Sequence, residues 1–177
     1  MIVIIADEGK VKKGWELYQT LREQKIDAKY LSVSNMHIQP CFGCQGCLYK
    51  TYGKCVVRDD MDQIQPLLMQ AEVIVFTSPT LWGGFSYPVK KVIDKLILLS
   101  NGFYRVRGGR LTKQGNERMR KIVGLGSGEA DTKEARDFAG YIKAVGQVIG
   151  VDYLAKTGTI FTDGDEIQNL IEEVSYS

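Results

Sequence analysis

The chain has 177 residues, 44% of them hydrophobic, which suits one compact domain with a sizeable core and excludes a disordered chain. Lys and Arg total 23 against 21 Asp and Glu, so the formal charge of +2 excludes a strongly basic nucleic-acid binder or membrane-surface protein. The longest apolar runs, Ile2–Ala6 and Val73–Phe76, fall far short of the roughly 18 residues of a membrane span. Asp7 and Glu8 follow Met1 too soon for a secretory leader, so the expected location is cytoplasmic, where thiols stay reduced.

In chain order, Ile2–Ala6 is a continuous apolar, β-branched run that suits a strand buried on both faces. Trp15, Tyr18 and Leu21, with Leu17, repeat at helical spacing, and Ala28–Val33 reads as a second, weaker strand. Asp59 and Asp60 are placed to cap a helix carrying Ile64, Leu67 and Leu68, in which Pro66 predicts a kink or a delayed start. Val73–Thr77 is the third strand. Ser86-Tyr-Pro88 opens a helix whose apolar face is Val89, Val92, Ile93, Leu96 and Leu99. Residues Asn101–Arg120 are basic and glycine-rich and read as a long loop: a solvated flexible lid, an attractor of NADPH phosphates or an acidic partner, or an oligomer contact. Lys121–Leu125 is a fourth strand, Ala135 to Ile149 a strongly periodic helix, Tyr153–Phe161 a fifth strand, and a short helix begins at Asp165.

Alternating strands and helices with right-handed crossovers make a doubly wound parallel sheet. Five strands favour the order 2-1-3-4-5, a flavodoxin-like three-layer sandwich using residues 1–177 as a single domain with a cysteine-rich insertion at 40–58. Ligands of such sheets sit beyond the carboxyl ends of the strands, so the loops of interest are Asp7–Gly14, Ser78–Phe85 and Gly126–Ala130.

All four cysteines fall in one short segment: Cys41, Cys44, Cys47 and Cys55, spaced C-x2-C-x2-C-x7-C. Steps of three, with Gly43 and Gly46 between, let the thiolates converge on one small object, which is the ligand grammar of a [4Fe-4S] cluster. Zinc also accepts four thiolates, though two separated Cys-x-x-Cys knuckles are its commoner spacing. The bland alternative is a loop of reduced thiols that holds no metal. His37, the single histidine, reads as a surface loop residue, and no Ser/His/Asp set or paired carboxylate stands out, so no catalytic acid or base is named.

The stretch Cys41–Cys55, then Asp59-Asp60-Met61, then Ala71–Pro79, Trp82, Lys90 and Asp94, resembles the NADPH-dependent FMN reductase group of flavodoxin-like proteins. The cysteine spacing is similar to that of its iron–sulfur flavoproteins. The resemblance implies bound FMN, two-electron chemistry at the flavin, NAD(P)H or a ferredoxin-like protein as electron donor, and a homodimer or homotetramer that brings a cluster near a neighbouring flavin. It implies that Ser78, Pro79, Thr80, Leu81, Trp82 and Gly83 line the flavin ring, with Trp82 stacking on it and Leu81 standing where the family often has an aromatic residue. Gly126 follows the fourth strand in a Gly-Leu-Gly-Ser-Gly run that either lines the ring or merely turns the chain.

The first loop departs from the family, which usually carries Gly-Ser-Pro-Arg and small hydroxyl residues around the phosphate. Here it reads Asp7-Glu-Gly-Lys10-Val-Lys12-Lys-Gly14, with two carboxylates and no Ser or Thr. Either Lys10 and Lys12 hold the phosphate with backbone N–H groups, as weaker partners than Arg, or FMN is bound poorly. The two functions carried forward are an FMN-dependent oxidoreductase or electron carrier with a four-cysteine iron–sulfur site, and a metal-binding or interaction module whose phosphate loop is degenerate.

Overall fold

The computed structural model describes residues 1–8, 12–127 and 132–157, together with Asn169 and Glu172. The elements are β1 (Ile2–Ala6), α1 (Lys13–Glu23), β2 (Ala28–Ser32), the single turn α2 (Gly46–Tyr49), α3 (Met61–Gln70), β3 (Val73–Leu81), β4 (Gly84–Phe85) and α4 (Tyr87–Asp94). A 3-10 turn, Lys95–Leu99, leads into β5 (Ser100–Arg107), β6 (Arg110–Gly115), β7 (Lys121–Ser127), α5 (Thr132–Ile149) and β8 (Asp152–Thr157).

The main sheet runs β2-β1-β3-β7-β8, all parallel, with β4 added antiparallel to β3. This is the flavodoxin-like order expected from five strands. Side chains alternate across it. Val3, Ile5, Ile74, Phe76 and Ile122 join α3, α4 and α5 on one face, while Ile2, Ile4, Val73, Val75 and Val123 join Leu17 and Leu21 of α1 on the other. Both faces of the central strands are therefore dry, which explains why β1 and β3 read as unbroken apolar runs.

Three expectations are corrected. The 101–120 segment is not a loose lid: β5 and β6 pair antiparallel around Gly108 and Gly109, whose φ values of 58° and 74° satisfy a tight hairpin turn. Thr112 of β6 is buried and packs on Gly150 beyond α5, tying the hairpin to the body. The stretch after β3 is likewise ordered. β3 extends to Leu81 and returns as β4, with Trp82 and Gly83 at φ 48° and 73° as the two turn residues of a short hairpin. Pro66 does not delay α3, which runs through it from Met61 to Gln70. The short helix expected from Asp165, and the end of the fifth strand beyond Thr157, lie outside the described residues.

Candidate functional site

The switch point of a 2-1-3-4-5 sheet lies between β1 and β3, where the two neighbouring connections leave for opposite faces. Here Ala6 registers with Thr77, Thr77 with Leu125, and Ser78 with Gly126, while the Asp7 N–H donates to the Thr77 carbonyl at 2.9 Å. The expected ligand-facing residues of β1, β3 and β7 thus share one edge. Lys10 lies outside the described residues, and Lys12 is exposed at the start of α1.

The β3–β4 hairpin supplies a rigid rim. Phe85 is wedged between Phe76 of β3 (6.0 Å between ring centroids) and Phe138 of α5 (4.9 Å), so the hairpin is anchored from below. Ser78 is buried, and its hydroxyl accepts the Ser86 N–H at 3.1 Å and donates to the Pro79 carbonyl at 3.0 Å; its role in this geometry is to close the hairpin. Gly83 sits against α5, where an added Cβ would lie 2.6 Å from Asp137 Cβ. Trp82, by contrast, is 91% exposed at the turn and Leu81 is 51% exposed beside it, so Trp82 is not a core residue. Thr80 Oγ1 is buried with no hydrogen-bond partner, a polar atom whose pairing a ring carrying donors and acceptors would complete. The ring end of the expected cofactor therefore fits this rim.

The phosphate end does not fit. The Glu8 carboxylate turns onto the N-terminus of α1, where Oε1 accepts from the Gly14 N–H and from Thr77 Oγ1 (3.3 Å). Oε2 accepts from the Trp15 N–H (3.2 Å) and from the Tyr30 hydroxyl (3.0 Å). Burial, reinforced by the neighbouring Glu8 charge and this hydrogen bond, pushes the Tyr30 phenol well above its usual range. Asp7 is engaged as well, accepting from Ser34 Oγ at 2.6 Å.

The cysteines come together elsewhere. Cys41 and Cys44 lie in the loop after β2, Cys47 in α2 and Cys55 in the loop after it, and all four line one small cavity of about 30 Å³. Close packing shapes the loop: a Cβ on Gly46 would stand 2.5 Å from Val56 Cγ1, and the Gly53 N–H closes a turn onto the Cys47 carbonyl at 2.7 Å. Burial pushes the Cys47 thiol up, and the charges of Cys41, Cys55 and Cys44 push the same way against an opposing backbone hydrogen bond. A metal inverts that balance, because its positive charge favours every thiolate at once. Among the described residues, no three metal-binding side chains stand close enough to hold an ion without the loop drawing in.

Two features at this end escape a reading of the sequence. Lys95 is buried beside the thiols, and its ammonium donates to Asp59 Oδ2 at 2.5 Å. Asp59 also accepts from the Gln39 N–H (2.8 Å) and the Met61 N–H (2.9 Å), so it pins the cysteine loop to α3 as well as capping the helix; Asp60 accepts from the His37 N–H instead. The position of Lys95 within the apolar run Ile93–Leu99 was the available signal. The second feature is an apolar cleft of about 510 Å³ between the cysteine loop and the β5–β6 hairpin, lined by Cys47, Tyr49, Tyr52, Leu98 and Phe103 among others. His37 is an exposed loop residue, as expected.

Residues 14–135, more than half of the chain, match the sequence pattern of the NADPH-dependent FMN reductase family. The chain belongs to that family. Among FMN reductase relatives, an iron-sulfur flavoprotein of Archaeoglobus fulgidus is 27% identical over 161 residues, covering 89% of this chain and 78% of that protein. An iron-sulfur flavoprotein of Methanocaldococcus jannaschii is 33% identical over 88 residues, covering 50% of this chain; the match spans only 45% of that relative's length. The fold of this FMN reductase family member is similar to that of the NAD(P)H:quinone oxidoreductase from Methanothermobacter marburgensis, with a TM-score of 0.62 at 13% identity over 99% of this chain and 94% of the other. It is also similar to an azoreductase, with a TM-score of 0.59 at 13% identity over 99% and 97% of the two chains. No helix among the described residues is long and apolar enough to cross a membrane.

Proposed function

We propose that this protein is a flavin-dependent oxidoreductase or electron carrier whose four cysteines hold an iron–sulfur cluster. The observation that carries the reading is the convergence of Cys41, Cys44, Cys47 and Cys55 on one pocket, within a chain of the NADPH-dependent FMN reductase family. When bound, a flavin supplies the exchange between two-electron and one-electron chemistry. The chain's own residues do the rest. Trp82 offers an exposed aromatic face for stacking, Thr80 Oγ1 an unpaired polar contact, and the Phe76–Phe85–Phe138 stack holds the hairpin rigid beneath them.

At the thiol pocket, four thiolates match the donor set of a cubane cluster, and the buried Lys95 ammonium lies on the pocket wall to offset their negative charge. The residues lining this pocket include none of Ser78–Gly83, which favours a homodimer or homotetramer in which the cluster of one copy serves the flavin of another. NAD(P)H or a ferredoxin-like protein in the cytoplasm would supply the electrons, with a nicotinamide sharing the flavin's cleft. Glu8 favours a second reading, a thiol-bearing module in which FMN is held weakly or not at all.

Anaerobic purification followed by a visible spectrum with iron, sulfide, zinc and flavin analysis tests both readings. Stoichiometric iron and sulfide with a flavin spectrum is the expected result. Zinc in place of iron, or thiols with neither, overturns the cluster; failure of any flavin to bind overturns the flavin site.

A further inference from the structure

We propose that Glu8 is a built-in occupant of the anion seat at the β1/β3 switch point, so that the site selects a flavin by its ring and not by its 5′-phosphate. The inference rests on the flavin reading above and sharpens it. In a flavodoxin-like sheet the crevice beside β1 and β3 receives the ligand, and a helix N-terminus beside it is suited to a phosphate. In this chain those donors are committed. Two N–H groups of α1, from Gly14 and Trp15, and two hydroxyls, from Tyr30 on β2 and Thr77 on β3, all point at one side-chain carboxylate.

The fit leaves no slack. A Cβ at Gly14 would lie 2.4 Å from Thr77 Cγ2 and 2.8 Å from Glu8 Oε1, so helix end, strand and carboxylate are in closest contact. Trp15 packs edge-on against Tyr30 at 5.2 Å between centroids, which holds that phenol over the carboxylate. A phosphate dianion entering here would have to expel Glu8 from four donors and then remain beside both the displaced carboxylate and Asp7. The same groups that make a phosphate seat have been turned inward to cap α1. Glu8 is thus a specificity-determining residue: the phosphate gains nothing on entry that the carboxylate does not already hold.

The test compares riboflavin with FMN by fluorescence titration, and measures Tm with and without inorganic phosphate, for the wild type and for Glu8→Ser. Wild type is expected to bind the two flavins within tenfold of one another and to show no phosphate-dependent rise in Tm. Glu8→Ser is expected to gain about tenfold or more for FMN with riboflavin unchanged, and to be stabilised by inorganic phosphate. FMN bound by the wild type more than about tenfold tighter than riboflavin overturns the proposal. So does a wild type stabilised by phosphate, or a folded Glu8→Ser that gains neither effect. Should the variant fail to fold, the two wild-type measurements decide. If the wild type binds no flavin the functional reading fails, while the phosphate measurements still judge Glu8.

Discussion

Replacing Lys95 by Met removes the cation from a pair whose side chains are only 2% and 1% exposed. The partner, Asp59, is left as an uncompensated buried carboxylate, which in comparable cases costs about 3–5 kcal/mol. Asp59 retains the Gln39 and Met61 N–H groups at 2.8 and 2.9 Å, so the lower end, about 3 kcal/mol, is expected for Lys95→Met. Adding Asp59→Asn removes the stranded charge and should recover about 1–2 kcal/mol of that loss.

The pH dependence carries the sharper sign. Burial alone would raise the Asp59 carboxyl, but the Lys95 hydrogen bond, the two backbone N–H groups and the Lys95 charge outweigh it, and the folded value lies below the usual one. In the wild type this stabilisation is fully present above the unfolded value of about 4 and fades as the pH falls through the depressed folded value. Lys95→Met takes away two of the lowering causes and leaves the burial, so its folded carboxyl takes up a proton at higher pH than the wild type does. The gap between the two proteins should therefore be widest near neutrality and narrow toward about pH 4. Urea unfolding at a series of pH values measures it. A neutral-pH loss below about 1 kcal/mol, or a gap that widens on acidification, would refute the reasoning.

Two further substitutions separate the rim from the core. Trp82→Ala removes a side chain that is 91% exposed, so stability should stay within about 0.5 kcal/mol by urea unfolding. Flavin affinity, followed by fluorescence titration, should meanwhile fall by about 0.5–1.5 kcal/mol as an aromatic stack is lost. Gly124→Val acts in the core: a Cβ there would already stand 2.6 Å from Ile142 Cδ1 and Cγ1, between β7 and α5. A loss of about 1–3 kcal/mol is expected from overpacking, readable as a lower urea midpoint at constant slope.

The sheet was legible because its information is local. Val73–Phe76 and Ile2–Ala6 are buried on both faces, so composition alone marks them, and the five-strand order follows from the alternation with helices. The β5–β6 hairpin hid for the opposite reason. Phe103, Tyr104, Val106 and Leu111 all remain exposed, so no apolar–polar alternation reports an inward face, and the many arginines drew attention from the Gly108-Gly109 turn. The thiol pocket could be found because C-x2-C-x2-C is a short-range pattern. Lys95 and Asp59 meet across 36 positions, and Glu8 reaches Tyr30 across 22 and Thr77 across 69. No spacing rule spans such distances.

The fate of Glu8 changes what an acidic residue in a phosphate loop means. Counted as a charge, it only repels a phosphate. Placed in the fold, it satisfies the N–H groups at the start of α1, a service the Lys12 side chain at the N-cap does not supply. The helix keeps its cap and the sheet keeps its switch point, so the family fold is undisturbed while one of the family's ligand contacts is replaced from within. At the other pocket the logic is reversed: the buried Lys95 brings a positive charge to a wall of four thiols and is itself neutralised by Asp59. Each centre thus carries an internal charge that answers its expected ligand, a carboxylate in place of a phosphate and an ammonium facing thiolates. Substitutions at Glu8 and at Lys95 should therefore be separable, the first moving flavin selectivity and the second moving stability.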